Sequence, residues 1–80
     1  MFYTYILKSL KDNGLYIGYT SDIIRRFNEH NSGISKATKH RKPFIILHVD
    51  EFITRSEAVR KERYYKTGKG REFIFKTFYF

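Results

Sequence analysis

Residues 2–20 read Phe2-Tyr3-Thr4-Tyr5-Ile6-Leu7-Lys8-Ser9-Leu10-Lys11-Asp12-Asn13-Gly14-Leu15-Tyr16-Ile17-Gly18-Tyr19-Thr20, and this stretch decides the fold. Residues 2–8 are aromatic and β-branched, as a strand requires. Lys11-Asp12-Asn13-Gly14 is a turn, and Asn13-Gly14 is the strongest short-range hairpin signal. Residues 15–20 then return as a second strand, antiparallel to the first. Alternate side chains share a face, so Tyr3, Tyr5 and Leu7 form one set and Tyr16, Gly18 and Thr20 another. A two- or four-residue loop places both sets on the same face of the sheet. Gly18 removes a side chain from among those tyrosines. Either it relieves crowding in an aromatic core, or it opens room for something to approach the backbone.

Outward from the hairpin, Ser21 is placed to cap a helix over residues 22–31 that ends near Asn31-Ser32-Gly33. Residues 34–42 are polar and basic, a loop or short irregular helix. Pro43 opens a third strand over about residues 44–51, built on Phe44-Ile45-Ile46-Leu47-His48-Val49. Thr54-Arg55-Ser56-Glu57 is a capping-box pattern that starts a helix through Lys66, and Gly68 stops it. Residues 71–77 form one more short helix before the aromatic end Phe78-Tyr79-Phe80. The order is β-β-α-β-α-α, an α+β domain with a small antiparallel or mixed sheet and helices packed on it.

The chain of 80 residues leaves space for a single domain, residues 1–80, and carries 16 Lys and Arg against 8 Asp and Glu, a formal net charge of +8. Such a charge attracts polyanions, of which nucleic acid is the commonest, although lysines also serve simply as a solvated surface. No lysine-lined amphipathic segment speaks for a membrane surface. The longest apolar run, Phe44 to Leu47, falls far short of the roughly 20 residues that span a bilayer. With neither a basic n-region nor a long apolar segment at the N-terminus, the expected location is the cytoplasm. The absence of cysteine excludes disulfides and thiolate metal sites.

Three groups of residues ask for more than a structural account. On the helix from Thr54, Ala58, Val59 and Tyr65 fall on one inward stripe with Glu62 in its middle. A carboxylate there needs a partner, so Glu62 is either half of a buried ion pair, or a metal ligand or general base. On the first helix Arg26 and His30 are i,i+4 neighbours at the border of the face formed by Ile23, Ile24 and Phe27. They are a snorkelling arginine with a helix-end histidine, or a phosphate clamp beside a proton-transfer group. The third group is the set of tyrosines on the hairpin. His30, His40 and His48 lie on three different elements and form no zinc motif, and Gly68-Lys69-Gly70 lacks the spacing of a P-loop.

The run Tyr16-Ile17-Gly18-Tyr19-Thr20-Ser21-Asp22, followed by Arg25-Arg26-Phe27-Asn28-Glu29-His30, resembles the second motif and first helix of the GIY-YIG nuclease family. Tyr16-Ile17-Gly18 is the YIG element itself. Tyr3-Thr4-Tyr5 stands at the family spacing for the GIY element, of which only Tyr5 keeps its letter. Arg26 matches the family's helix arginine, and His30 falls where a histidine or tyrosine is usual. Ser56-Glu57-Ala58 opens the later helix in the family's way, and Glu62 takes the place of its metal-binding glutamate. The likeness runs from about residue 2 to 76 and is closest to small single-domain bacterial members; it extends to the catalytic domains of excision-repair and homing endonucleases. Departures are Tyr3 in place of the GIY glycine, Tyr19 in place of a frequent lysine, and no counterpart in residues 68–71 to an asparagine many members carry.

The resemblance implies a three-stranded antiparallel sheet flanked by helices, and divalent-metal-dependent hydrolysis of phosphodiester bonds, in DNA rather than RNA. By that likeness Glu62 anchors Mg²⁺ or Mn²⁺, and Arg26 stabilises charge on the phosphoryl oxygens. Tyr16 takes the proton of the attacking water, with His30 as rival base or partner, and Tyr5 positions phosphate or water. Lys36, Lys39, Arg41 and Lys42 are the expected backbone-tracking contacts, which carry no sequence information directly. Sequence preference is therefore expected to be weak, with selectivity supplied by nucleic-acid structure or a protein partner. Two other readings stand beside this one: a nucleic-acid-binding module on the same fold without the chemistry, and an interaction domain that docks through Phe73, Phe75, Phe78, Tyr79 and Phe80. The same aromatics more readily cover their own chain, given how small the core is.

Overall fold

The computed structural model describes residues 1–79. Strands β1 (Phe2–Ser9) and β2 (Leu15–Thr20), helix α1 (Ile23–Ser32), strand β3 (Phe44–Phe52), and helices α2 (Arg55–Tyr65) and α3 (Gly68–Phe78) follow in that order. The strands form one antiparallel sheet in the spatial order β2-β1-β3, so the fold is the α+β arrangement read from the sequence. Residues 10–14 connect β1 to β2. Asn13 adopts φ 60°, a left-handed conformation that asparagine tolerates, and the Ser9 amide donates to the Gly14 carbonyl at 2.9 Å. The resulting register pairs Tyr3 with Thr20, Tyr5 with Gly18 and Leu7 with Tyr16. Both tyrosine sets therefore share a face, as the alternation requires.

Each face of the sheet carries its own apolar cluster. Tyr5, Leu7 and Phe44 pack with Tyr16, Ile23, Phe27 and Val49 on the α1 side. Ile6 and Ile17 pack with Tyr65 and Ile74 on the side of α2 and α3, joined by Leu15, Leu47, Phe78 and Tyr79. Ile6 faces His48 while Leu7 faces Ile46, so Leu47 is the extra residue of a bulge in β3, and it turns into the second cluster. Fully burying each Ile or Leu contributes about 1.5–3 kcal/mol, and the two small clusters must offset the ordering of the whole chain.

Three ends differ from the sequence reading. Asp22, not Ser21, caps α1: its carboxylate accepts from the Arg25 amide at 3.0 Å, and an anion there is favoured by the helix dipole. The helix then runs to Ser32 and stops at Gly33, whose φ of 84° only glycine adopts without strain. Gly68 does not stop α2. Lys66 closes that helix, Thr67 caps the next by accepting from the Gly70 amide at 3.0 Å, and Gly68 is the first residue of α3. The last helix is longer than the expected 71–77 because a threonine immediately before the glycine supplies a new cap. Gly70 lies so close to the end of α2 that a Cβ there would collide with the Tyr64 carbonyl.

Two polar details fix α2. Thr54 and Glu57 form the capping box, and the buried Thr4 hydroxyl of β1 donates to the Ala58 carbonyl at 2.7 Å. The second bond clamps the helix to the central strand one turn before Glu62. The aromatic end folds back on its own chain: Phe78 stacks on His48 at 5.1 Å between centroids, and the Tyr79 hydroxyl donates to the Asn13 carbonyl at 3.0 Å. Phe73 and Phe75 remain exposed, and Phe80 lies outside the described residues. Among the described residues no helix is long and apolar enough to cross a membrane.

Candidate active site

Tyr5 stands at the centre of β1 on the α1 side, with its ring over Gly18. A Cβ at Gly18 would lie 2.5 Å from the Tyr5 hydroxyl oxygen, so the room that the glycine opens is filled by the tyrosine. The hydroxyl reaches His30 Nε2 at 3.0 Å, and His30 Nδ1 lies 2.7 Å from the Thr38 hydroxyl. His30 and Thr38 are fully buried. In the neutral ring one nitrogen donates and the other accepts, and the Tyr5 and Thr38 hydroxyls can each complement either tautomer. Burial pushes the His30 imidazole down to about 4, and the Arg26 charge adds to this. The ring is therefore neutral at pH 7, with both nitrogens engaged. Burial also raises the Tyr5 phenol, although the Arg26 guanidinium beside it acts in the opposite direction.

Tyr16 completes an aromatic cluster. Its ring is 4.7 Å from that of His30 and stacks at 6.4 Å on Tyr5. It is half-buried, and its hydroxyl has no hydrogen-bond partner among the described residues. Arg26 comes from the exposed border of α1, pairs with Glu29 at 3.0 Å, and lies within electrostatic reach of both Tyr5 and Tyr16. Glu62 approaches from α2, on the other side of the edge strand β2, and its negative charge helps to raise the Tyr5 phenol. Tyr5, Tyr16, Arg26 and His30 are thus brought together by β1, β2 and α1, while Glu62 on α2 forms no hydrogen bond or ion pair with them among the described residues and reaches Tyr5 only through its charge.

The basic loop divides. Lys36, Lys39 and Lys42 are exposed. Arg41 is occupied: its guanidinium pairs with Asp12 at 2.8 Å, donates to the Leu15 carbonyl at 3.2 Å, and lies 5.7 Å from the centre of the Phe44 ring. Those contacts hold the loop against the hairpin, and Arg41 in turn draws the Asp12 carboxyl down to about 2. Sequence reasoning missed Thr38, a threonine hidden among lysines that carries no signal until the loop folds over α1. It also missed Glu29, which i,i+3 spacing from Arg26 does signal.

Of Tyr5, Tyr16, Arg26, His30 and Glu62, only the last offers an anionic oxygen donor. The Glu62 side chain is 18% exposed, and its ion pair with Lys66 spans a loose 3.9 Å, so acceptor capacity remains. Among the described residues no group of three or more His, Asp or Glu could enclose a cation. Magnesium and manganese are commonly held by one or two carboxylates, with water and substrate phosphate completing the shell, and this donor set fits that pattern. It does not fit a closed structural zinc site.

A cleft of about 640 Å³ lies between β2 and α2, lined by Tyr19, Arg55, Ser56, Val59, Arg60 and Arg63. A smaller opening of about 270 Å³ is lined by Leu15, Tyr16, Ile17, Lys66 and Arg71. On α2, Glu62 directly precedes Arg63 of the first and lies one turn before Lys66 of the second.

Residues 1–75 match the GIY-YIG catalytic domain. A UPF0213 protein of Listeria monocytogenes is 51% identical over 63 residues, covering 78% of this chain and 70% of that protein. One of Enterococcus faecalis is 43% identical, covering 96% of this chain and 92% of the relative. The solution NMR structure of a UPF0213 protein from Bacillus halodurans aligns with a TM-score of 0.57 at 36% identity, covering 95% of this chain and 84% of that one. The sheet order, the YIG strand at its edge and these matches agree, and the chain belongs to the GIY-YIG catalytic domain family.

Proposed function

We propose that this protein is a divalent-metal-dependent endonuclease that hydrolyses phosphodiester bonds in DNA with weak intrinsic sequence preference. One observation carries the reading: an arginine from one face of the sheet and a carboxylate from the other both bear on the same buried phenol, Tyr5, on the central strand. A guanidinium and a carboxylate so placed suit a phosphate and the cation that accompanies it. Glu62 would hold Mg²⁺ or Mn²⁺, which supplies neutralisation of the developing phosphoryl charge.

The remaining roles follow from the side chains. Arg26 presents a planar donor to the phosphoryl oxygens, where a charge-assisted bond strengthens as the transition state forms. Tyr16, with its hydroxyl uncommitted, takes the proton of the attacking water. A free tyrosine titrates near 10, so a cationic neighbour such as Arg26 is what the role requires. His30 is a poor rival for that proton, being fully buried, bonded through both nitrogens and driven down to about 4. It acts as a positioning residue that fixes the Tyr5 hydroxyl, and Tyr5 orients phosphate or water.

The test is incubation with supercoiled plasmid and with branched oligonucleotides, with and without Mg²⁺ or Mn²⁺. Nicking that requires the cation and vanishes in Glu62→Ala is the expected result. Retention of DNA without any nicking would instead establish a binding module on this fold.

A further inference from the structure

We propose that the cleft between β2 and α2 is a second phosphate-binding subsite, in which Arg55, Arg60 and Arg63 hold the nucleic-acid backbone beside the scissile phosphate. The inference rests on the nuclease reading for the position of that phosphate, but the subsite itself stands on its own geometry.

The cleft places three guanidiniums and no carboxylate around about 640 Å³. Elsewhere the chain pairs its helical charges at i,i+3 or i,i+4 spacing: Arg25 and Arg26 with Glu29, Lys66 with Glu62, Lys76 with Glu72. None of the three cleft arginines has a salt-bridge partner among the described residues. The natural partner on α2 is Glu57, three residues before Arg60. Its Oε1 atom accepts instead from the backbone amide and hydroxyl of Thr54, so the cap withdraws it from the cleft. Arg60 and Arg63 are left as like-charged neighbours one turn apart, a spacing that weakens a helix. An anionic ligand relieves that repulsion.

Arg55 is also held in place. It donates to the Tyr19 hydroxyl at 2.8 Å and lies 5.5 Å from the centre of that ring. A guanidinium fixed in this way loses less rotamer freedom on meeting a phosphate. From Arg55 to Arg63 the helix advances about 12 Å, enough to face more than one phosphate of a strand. Glu62 adjoins Arg63, and beyond it Lys66 and Arg71 line the smaller opening with Tyr16. The geometry therefore lays the strand along the β2 edge, with Arg55 and Arg60 before the candidate cation ligand and Arg63, Lys66 and Arg71 after it.

The experiment compares the parent protein with Arg60→Ala/Arg63→Ala. Affinity for a labelled oligonucleotide is read in EDTA across a salt series, and nicking is read separately with Mg²⁺. Two lost phosphate contacts should lower the slope of log affinity against log salt by about 1.4–1.8 and weaken binding about tenfold or more. Under Mg²⁺, KM should rise by a similar factor with kcat within about twofold. Lys11→Ala/Lys76→Ala removes the same charge away from the cleft and should leave the slope within about 0.3 of the parent. An unchanged slope in the cleft variant, or an equal drop in both, would overturn the subsite. Both variants are at exposed positions, and thermal unfolding verifies their folding. A parent that binds with the expected slopes but never nicks would sink the nuclease reading and leave the subsite standing.

Discussion

The two faces of the sheet are built on opposite principles. On the α1 side, Tyr5, His30 and Thr38 form a closed hydrogen-bonded chain in which every buried polar atom has a partner and no net charge is buried. On the α2 side, Glu62 and the three cleft arginines keep donors and acceptors that the protein does not use for itself. The closed face supplies rigidity, because a buried network that is fully satisfied has one low-energy arrangement. The open face supplies charge that is still available to a ligand. A phosphoryl-transfer site needs both, and Arg26, at the exposed border of α1, belongs structurally to the first and electrically to the second.

The largest effect should come from the open face. Glu62→Ala is expected to lower cation-dependent nicking about a thousandfold or more while oligonucleotide affinity in EDTA stays within about threefold. Full activity in that variant would remove Glu62 from the site. Arg26→Ala should reduce turnover about a hundredfold, well beyond its effect on affinity, since the bond it makes strengthens in the transition state. Equal losses in kcat and affinity would make Arg26 a binding residue and place it wholly on the charged side of the comparison.

Most of the architecture was legible because the hairpin is written locally. Asn13-Gly14, the aromatic alternation and the capping box at Thr54 each specify one element through short-range physics, and their outcomes agree with one another. The candidate residues were legible as misfits, above all a glutamate on an inward stripe. What stayed hidden depends on contacts far apart in the chain. Thr38 acquires meaning only when residues 34–42 fold over His30, and Arg41 is spent on Asp12 across 29 positions. The arginine cleft was hidden for another reason. Read along α2, the capping box Thr54-Arg55-Ser56-Glu57 already commits the Glu57 side chain to Thr54, but only the packing of α2 on β2 shows that Arg55, Arg60 and Arg63 then share one cleft with Tyr19. Gly18 was readable in both senses, and coordinates were needed to show that Tyr5 occupies the space.

The closed face makes a stability prediction with a definite sign. His30 titrates at about 4 when folded and near 6.5 when the chain is unfolded. Between those values the unfolded chain binds more protons, so stability rises with pH. The contribution is fully present above about 6.5 and is lost as pH falls through 4, of order 3 kcal/mol in total. Urea unfolding at pH 7 and pH 5 should show the loss, and His30→Gln, which keeps hydrogen-bonding groups without a titrating ring, should flatten it. The same slope in both proteins would place the titration elsewhere. The smallest expected effect is that of Thr38→Val, which leaves His30 Nδ1 without its hydrogen-bond partner at a cost of about 1–2 kcal/mol. If Thr38 merely fills space, a valine of similar shape costs almost nothing. If it fixes the ring, the variant should also lower kcat several-fold with KM unchanged, because a loosened His30 no longer aims the Tyr5 hydroxyl.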